Sequence, residues 1–131
     1  MVKYYPKNYI PINGGGESLF HFVLRCLFCK AVYEKNRDFR EYPGQMLVES
    51  EKRFFENMKH RGDVFDPFTR VLYEIQRDAG EIRRKKGIFN RSKEIEFIKF
   101  INPSGFSDAS SFEGLLAQIW EEILRVIVVC P

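Results

Sequence analysis

The chain has 131 residues, 44% apolar and 15% aromatic, which is enough for one buried core and too little for two ordinary domains, so residues 1–131 are expected to form a single domain. Its 21 basic and 18 acidic residues leave a formal charge of +3, a field too weak to imply nucleic acid by itself. No run approaches the roughly 20 apolar residues of a membrane helix, and Met1-Val2-Lys3-Tyr4-Tyr5 lacks a secretory core, so a soluble, cytoplasmic protein without membrane contact is expected.

Tyr9-Ile10-Pro11-Ile12 reads as a short extended approach, and Asn13 with three glycines then makes a turn. From Leu19 to Val32 apolar residues surround nearly the whole helical circumference, which predicts a central helix that anchors the core. Lys35 to Tyr42 is charged and reads as a loop. Leu47, Glu51, Phe54, Phe55 and Met58 have helical spacing and predict a second helix, closed by His60-Arg61-Gly62-Asp63. Asp66-Pro67 reads as the restart of a third helix carrying Phe68, Val71, Leu72 and Ile75 on one face and ending at Ala79-Gly80.

Arg83-Arg84-Lys85-Lys86-Gly87 is the only dense basic run and reads as a solvated loop. Behind it, Ile95 to Ile101 suits either a buried strand or a short helix. After the loop residues Asn102-Pro103-Ser104-Gly105, the positions Phe112, Leu115, Leu116, Ile119, Trp120, Ile123 and Leu124 predict an amphipathic helix, its start marked by Ser110 and Ser111. Val126-Ile127-Val128-Val129 is β-branched and predicts a closing strand. The expected class is therefore α+β, rich in helices, with a small β-sheet.

The densest local pattern is Gly15-Gly16-Glu17-Ser18-Leu19-Phe20, a glycine turn that delivers a hydroxyl to the mouth of an apolar helix. Glycines permit close backbone approach, and free N–H groups at a helix start stabilise developing negative charge. Ser18 is either an activated nucleophile or a plain N-cap, with Glu17 in the favourable field of the helix start. No Lys-Ser/Thr pair follows the glycines, so the turn is not a Walker loop.

The block resembles the Asp-Gly-Xaa-Cys-Leu-Phe motif of the ovarian-tumour (OTU) cysteine proteases, with Gly15 at the aspartate position and Ser18 at the cysteine position. The resemblance extends through Gly105 to Ala117, with Phe106 near the family's Trp position and Glu113 at its acidic helix position, and then to the Val126–Val129 strand. It implies a papain-like core and a thiol isopeptidase class acting on ubiquitin or a ubiquitin-like protein. Gly15, Gly16 and Glu17 would line the oxyanion turn. Ser18 replaces the thiol, and the family's histidine strand lies beyond Pro131, so the expected form is an inactive or impaired deubiquitinase-type domain that recognises ubiquitin. No cofactor or metal is implied.

Only His21 and His60 could serve as a base. His21 rides on the same helix as Ser18, which makes a packed or polar-edge histidine the blander interpretation, and His60 sits where a solvated cation would meet a helix end. Cys26 and Cys29 have helical spacing on an apolar helix and read as core side chains, while the odd set of three cysteines suits a reducing compartment. The alternative function is a non-enzymatic module that binds RNA or an acidic partner through Arg83, Arg84, Lys85 and Lys86.

Overall fold

The computed structural model describes residues 19–55, 61–76, 78–103, 106 and 109–129. Helix α1 (Leu19–Asn36) buries Phe20, Leu24, Phe28, Ala31 and Val32, the three-to-four residue spacing that lines one helical face. It runs past Lys35, where a loop was expected, because Asn36 still faces inward; a 3₁₀ turn at Arg37–Phe39 follows. Pro43-Gly44 then makes a tight turn closed by Gln45 N–H on the Tyr42 carbonyl, 3.2 Å, with Gly44 at φ 87°, a left-handed angle that favours glycine.

The expected second and third helices are strands. Residues 47–55 supply β1 (Glu49–Lys52), and β2 (Gly62–Asp66) and β3 (Val71–Ile75) form a hairpin where a helix through Phe68 to Ile75 was expected. The hairpin loop is set by Asp66: its carboxylate accepts the N–H groups of Phe68 and Thr69 at 2.9 and 3.4 Å, and Arg70 N–H reaches the Asp66 carbonyl at 2.7 Å. Pro67 follows Asp66 in this turn, where a helix start was expected. Flanking β-branched and aromatic residues, Val64-Phe65 and Val71-Leu72-Tyr73, pair across it.

Helix α2 (Ala79–Phe89) begins where a helix was expected to end. The Asp78 side chain accepts Glu81 N–H at 2.8 Å, an N-cap, and the basic run Arg83–Lys86 lies within this helix and not in a loop. The crossover brings β4 (Phe97–Ile101) parallel to β3, which resolves the open strand-or-helix choice at Ile95–Ile101 in favour of a strand. The sheet order is β1-β2-β3-β4, with β2 antiparallel to both neighbours. Helix α3 (Phe112–Val129) buries Leu115, Ile119, Ile123 and Ile127, and its first turn is tied by Gly114 N–H to the Ser111 hydroxyl at 3.0 Å. The four-residue apolar rhythm continues through Ile127, so Val126–Val129 is the last turn of α3 instead of a strand.

Strand alternation divides the core. Val64, Val71, Tyr73, Ile75 and Ile101 pack with α1 and α3, while Phe65 and Leu72 pack with Phe89 of α2 and with Phe54 and Ile98. The described residues therefore form an α+β arrangement of three helices and a four-stranded mixed sheet. Among them, no helix is long and apolar enough to cross a membrane.

Candidate functional site

Glu74, fourth residue of β3, shares the parity of Leu72 and sits on the α2 side of the sheet, while Asp63, second residue of β2, lies beside it at the strand end, within reach of α1. Asp63 N–H donates to Glu74 Oε2 at 2.6 Å, and Ile75 N–H donates to Asp63 Oδ2 at 2.8 Å, so both carboxyl groups are fixed by the hairpin's own backbone. Gly62 lets this end of β2 close: a Cβ there would meet Leu72 Cδ1 at 2.6 Å and Phe54 Cε2 at 2.7 Å.

Two basic side chains converge on the pair from different layers. Lys85 of α2 brings Nζ to 3.6 Å from Glu74 Oε1, and His21 of α1 brings Nε2 to 3.5 Å from Asp63 Oδ2. Exposure is graded across the group: the Glu74 side chain is fully buried, Asp63 is 14% exposed and His21 28%. Glu74 Oε1 is buried and accepts no hydrogen bond among the described residues. The Lys85 ammonium pairs with this oxygen from just beyond hydrogen-bond distance and offsets only part of the cost of its burial.

The two acids are driven apart in proton affinity. Burial, then the negative charge of Asp63 and a hydrogen bond to it, pushes Glu74 up to about 9, with Lys85 working in the opposite direction. Burial also acts to raise Asp63, but hydrogen bonds with His21 and Glu74, the His21 charge and the Ile75 N–H hold it below the usual carboxylate range. The two carboxyl groups are thus coupled, with Glu74 the side that favours the proton and Asp63 the side that favours the charge. Paired groups with separated affinities are the arrangement that divides acid and base duties.

A second polar strip adjoins the first. Arg25, one turn after His21, donates from Nη1 to the Ser50 hydroxyl at 2.7 Å, and that hydroxyl donates to the Asp63 carbonyl at 3.4 Å. Cys29, one turn further on, also bonds Ser50; burial pushes its thiol up despite Ser50 and Arg25, which disfavours a thiolate nucleophile.

Of the residues singled out from sequence, Gly15, Gly16, Glu17, Ser18 and His60 lie outside the described residues. His21 is a polar-edge histidine with an acidic partner. Arg83, Arg84 and Lys86 are exposed on α2, Arg84 pairing with Glu81 at 2.5 Å, whereas Lys85 turns inward to Glu74. Sequence reasoning missed Asp63 and Glu74 because it assigned both to helices. Their signal was the strand–Asp-Pro–strand pattern, which places an acidic residue at matched distances either side of the turn.

Among the described residues no three or more His, Cys, Asp or Glu side chains are grouped to enclose a metal ion. A cleft of about 220 Å³ between β4 and α3, walled by Phe28, Ile101, Phe106, Ile123 and Val126, contains none of the acid cluster. Its one amine, Lys99 Nζ, donates to the Val126 carbonyl at 3.4 Å. Comparison with protein-family models, curated proteins and solved structures returns no match.

Proposed function

We propose that this chain hydrolyses phosphodiester bonds of nucleic acid with the help of a divalent cation seated on Asp63 and Glu74. The observation that carries this reading is Glu74 Oε1, a fully buried carboxyl oxygen that accepts no hydrogen bond while a second carboxyl group adjoins it. Two such groups repel in a poorly solvated site, and a proton or a cation relieves the repulsion. Magnesium is commonly held by one or two carboxylates with water and substrate phosphate completing its shell, so it does not need a cage of three or more protein ligands.

A bound cation would polarise a phosphoryl oxygen and acidify water. His21, the most exposed member of the group, would accept the proton of the attacking water, with Asp63 steadying the resulting imidazolium. Lys85 would offer its charge to the phosphate once the cation relieves it of Glu74. The position also agrees with the general preference of ligands for the carboxyl ends of parallel strands, since Glu74 stands near that end of β3 and α2 starts just beyond it. The reading takes up the RNA expectation for Arg83–Lys86, with Lys85 at the reacting centre and its exposed neighbours outside it.

The test is cleavage of fluorescein-labelled single-stranded RNA, single-stranded DNA and duplex DNA with and without magnesium or manganese. Expected is cation-dependent cleavage that falls at least 100-fold in Asp63→Asn and in Glu74→Gln, both checked for folding by circular dichroism. Cleavage that survives both substitutions, or no cleavage together with no manganese-induced broadening of the His21 ring signals, overturns the reading.

Ubiquitin recognition is the second reading, supported by the Gly15–Phe20 block, whose described helix starts at Leu19, and by the Gly105–Ala117 segment, where the expected helix begins at Phe112. The Val126–Val129 part of the resemblance does not stand, since that segment is helical. Titration of isotope-labelled ubiquitin decides: saturable shifts confined to its apolar face would favour this reading, and none at high concentration would remove it.

A further inference from the structure

The strip beside the carboxyl pair has chemistry that the proposed hydrolysis does not use. Arg25 follows His21 by four residues, about 6 Å along α1, and both side chains meet β2: His21 at the Asp63 carboxylate, Arg25 through Ser50 at the Asp63 carbonyl. The Arg25 guanidinium also lies 5.3 Å from the centre of the Phe22 ring, and Phe22 is 38% exposed on the outward face of α1. A planar cation beside a hydroxyl suits a phosphate, and an exposed aromatic face next to it suits a base.

We infer that Arg25, Ser50 and Phe22 form a nucleotide seat next to the reacting centre, Arg25 and Ser50 holding the adjacent phosphate and Phe22 stacking its base, so that the substrate is a single strand. The inference rests on the phosphodiester reading above. In a duplex the bases are already stacked and unavailable to a side chain at the backbone, so the combination of a phosphate fork and an aromatic face selects unpaired nucleotides. Arg25 and Phe22 are positioning residues here: neither touches the reacting atoms.

Fluorescence anisotropy with a 5′-fluorescein oligouridine 12-mer and a 12-base-pair duplex, each measured from 50 to 300 mM salt, tests it. Expected is at least tenfold tighter binding of the single strand. Arg25→Gln should weaken that binding about tenfold and reduce the slope of log K against log salt by about 0.7, the share of one phosphate contact on a single strand. Arg25→Lys should restore the slope but not the full affinity, because a point charge lacks the fork. Phe22→Ala should weaken single-strand binding about tenfold with the slope unchanged. Equal binding of single strand and duplex, or an unchanged slope in a folded Arg25→Gln protein that still cleaves with magnesium, overturns the nucleotide seat and leaves the hydrolase reading standing. Absence of all oligonucleotide binding overturns both.

Discussion

Strand β2 carries an acidic residue toward each end, and the two are treated in opposite ways. Asp66 is fully buried yet well satisfied: Lys35 pairs with Oδ2, Asn36 Nδ2 donates to Oδ1 at 2.8 Å, and the Phe68 and Thr69 N–H groups complete the set. Asn36 also donates to the Leu47 carbonyl at 3.0 Å, which ties α1 to the segment before β1. At the other end Asp63 accepts the Ile75 N–H and pairs with His21, but it adjoins Glu74, whose Oε1 is left without a hydrogen bond. A saturated buried carboxylate acts as structure; a buried carboxyl oxygen without a hydrogen bond marks a place where something else can bind.

The comparison breaks most sharply at Asp66. Asp66→Ala removes the carboxylate that Lys35, one Asn36 donor and the loop N–H groups share, opens the hairpin loop, and should cost about 3 kcal/mol in urea unfolding, the low end for removing one partner of a buried ion pair. Burial works to raise Asp66, but Lys35, Asn36 and the Phe68 N–H together hold it below the usual carboxylate range. A group lowered on folding stabilises above its unfolded value, so this contribution is lost as pH falls through the acid range below 4.

Glu74 has the opposite sign. A group raised on folding gives its full contribution below its unfolded value and loses it as pH rises, here through the interval from about 4.5 to about 9. Without divalent cations, stability should therefore decline toward alkaline pH with a slope approaching about 1.4 kcal/mol per pH unit, one proton's worth. Glu74→Gln, which keeps the shape of the neutral acid, should flatten that slope in unfolding curves taken at pH 6 and 8.5. An unchanged slope in the variant would place the alkaline weakness elsewhere.

The smallest effect concerns Glu51, which faces the same end of β2 from the edge strand with φ 52°, an angle that costs a residue with a Cβ. Glu51→Gly should raise stability by up to about 1 kcal/mol by thermal unfolding; a loss would mean that the exposed glutamate side chain supports β1 more than its backbone strains it.

These contrasts also explain what could be read beforehand. Helices α1 and α3 were legible because burial at every third or fourth position runs through Phe20, Leu24 and Phe28 and again through Leu115, Ile119 and Ile123. The hairpin was not, because five-residue strands with apolar residues on both faces, such as Val71–Ile75, carry no period-two alternation, and their apolar positions fit a helical face equally well. The start of α2 was legible but misread: Asp78-Ala79-Gly80-Glu81 has the spacing of a capping box, and the glycine within it drew attention as a stop. At Val126–Val129 tertiary register outweighed β-branched propensity. For the site, His21 was visible as a residue, but its acid partner depends on a long-range meeting of α1 with β2 that no local window contains.

The order in which the site is assembled follows from that last contact. Asp63 and Glu74 belong to one hairpin closed by its own Asp66 turn, and Lys85 arrives on the helix that follows, so three members come from one contiguous stretch. His21 must be delivered from far upstream, across β1 and the Pro43-Gly44 turn. Loop-closure entropy favours the local hairpin first and the docking of α1 afterwards. The carboxyl pair therefore forms in a chain that still lacks its base, and the proposed chemistry begins only when the first helix has docked.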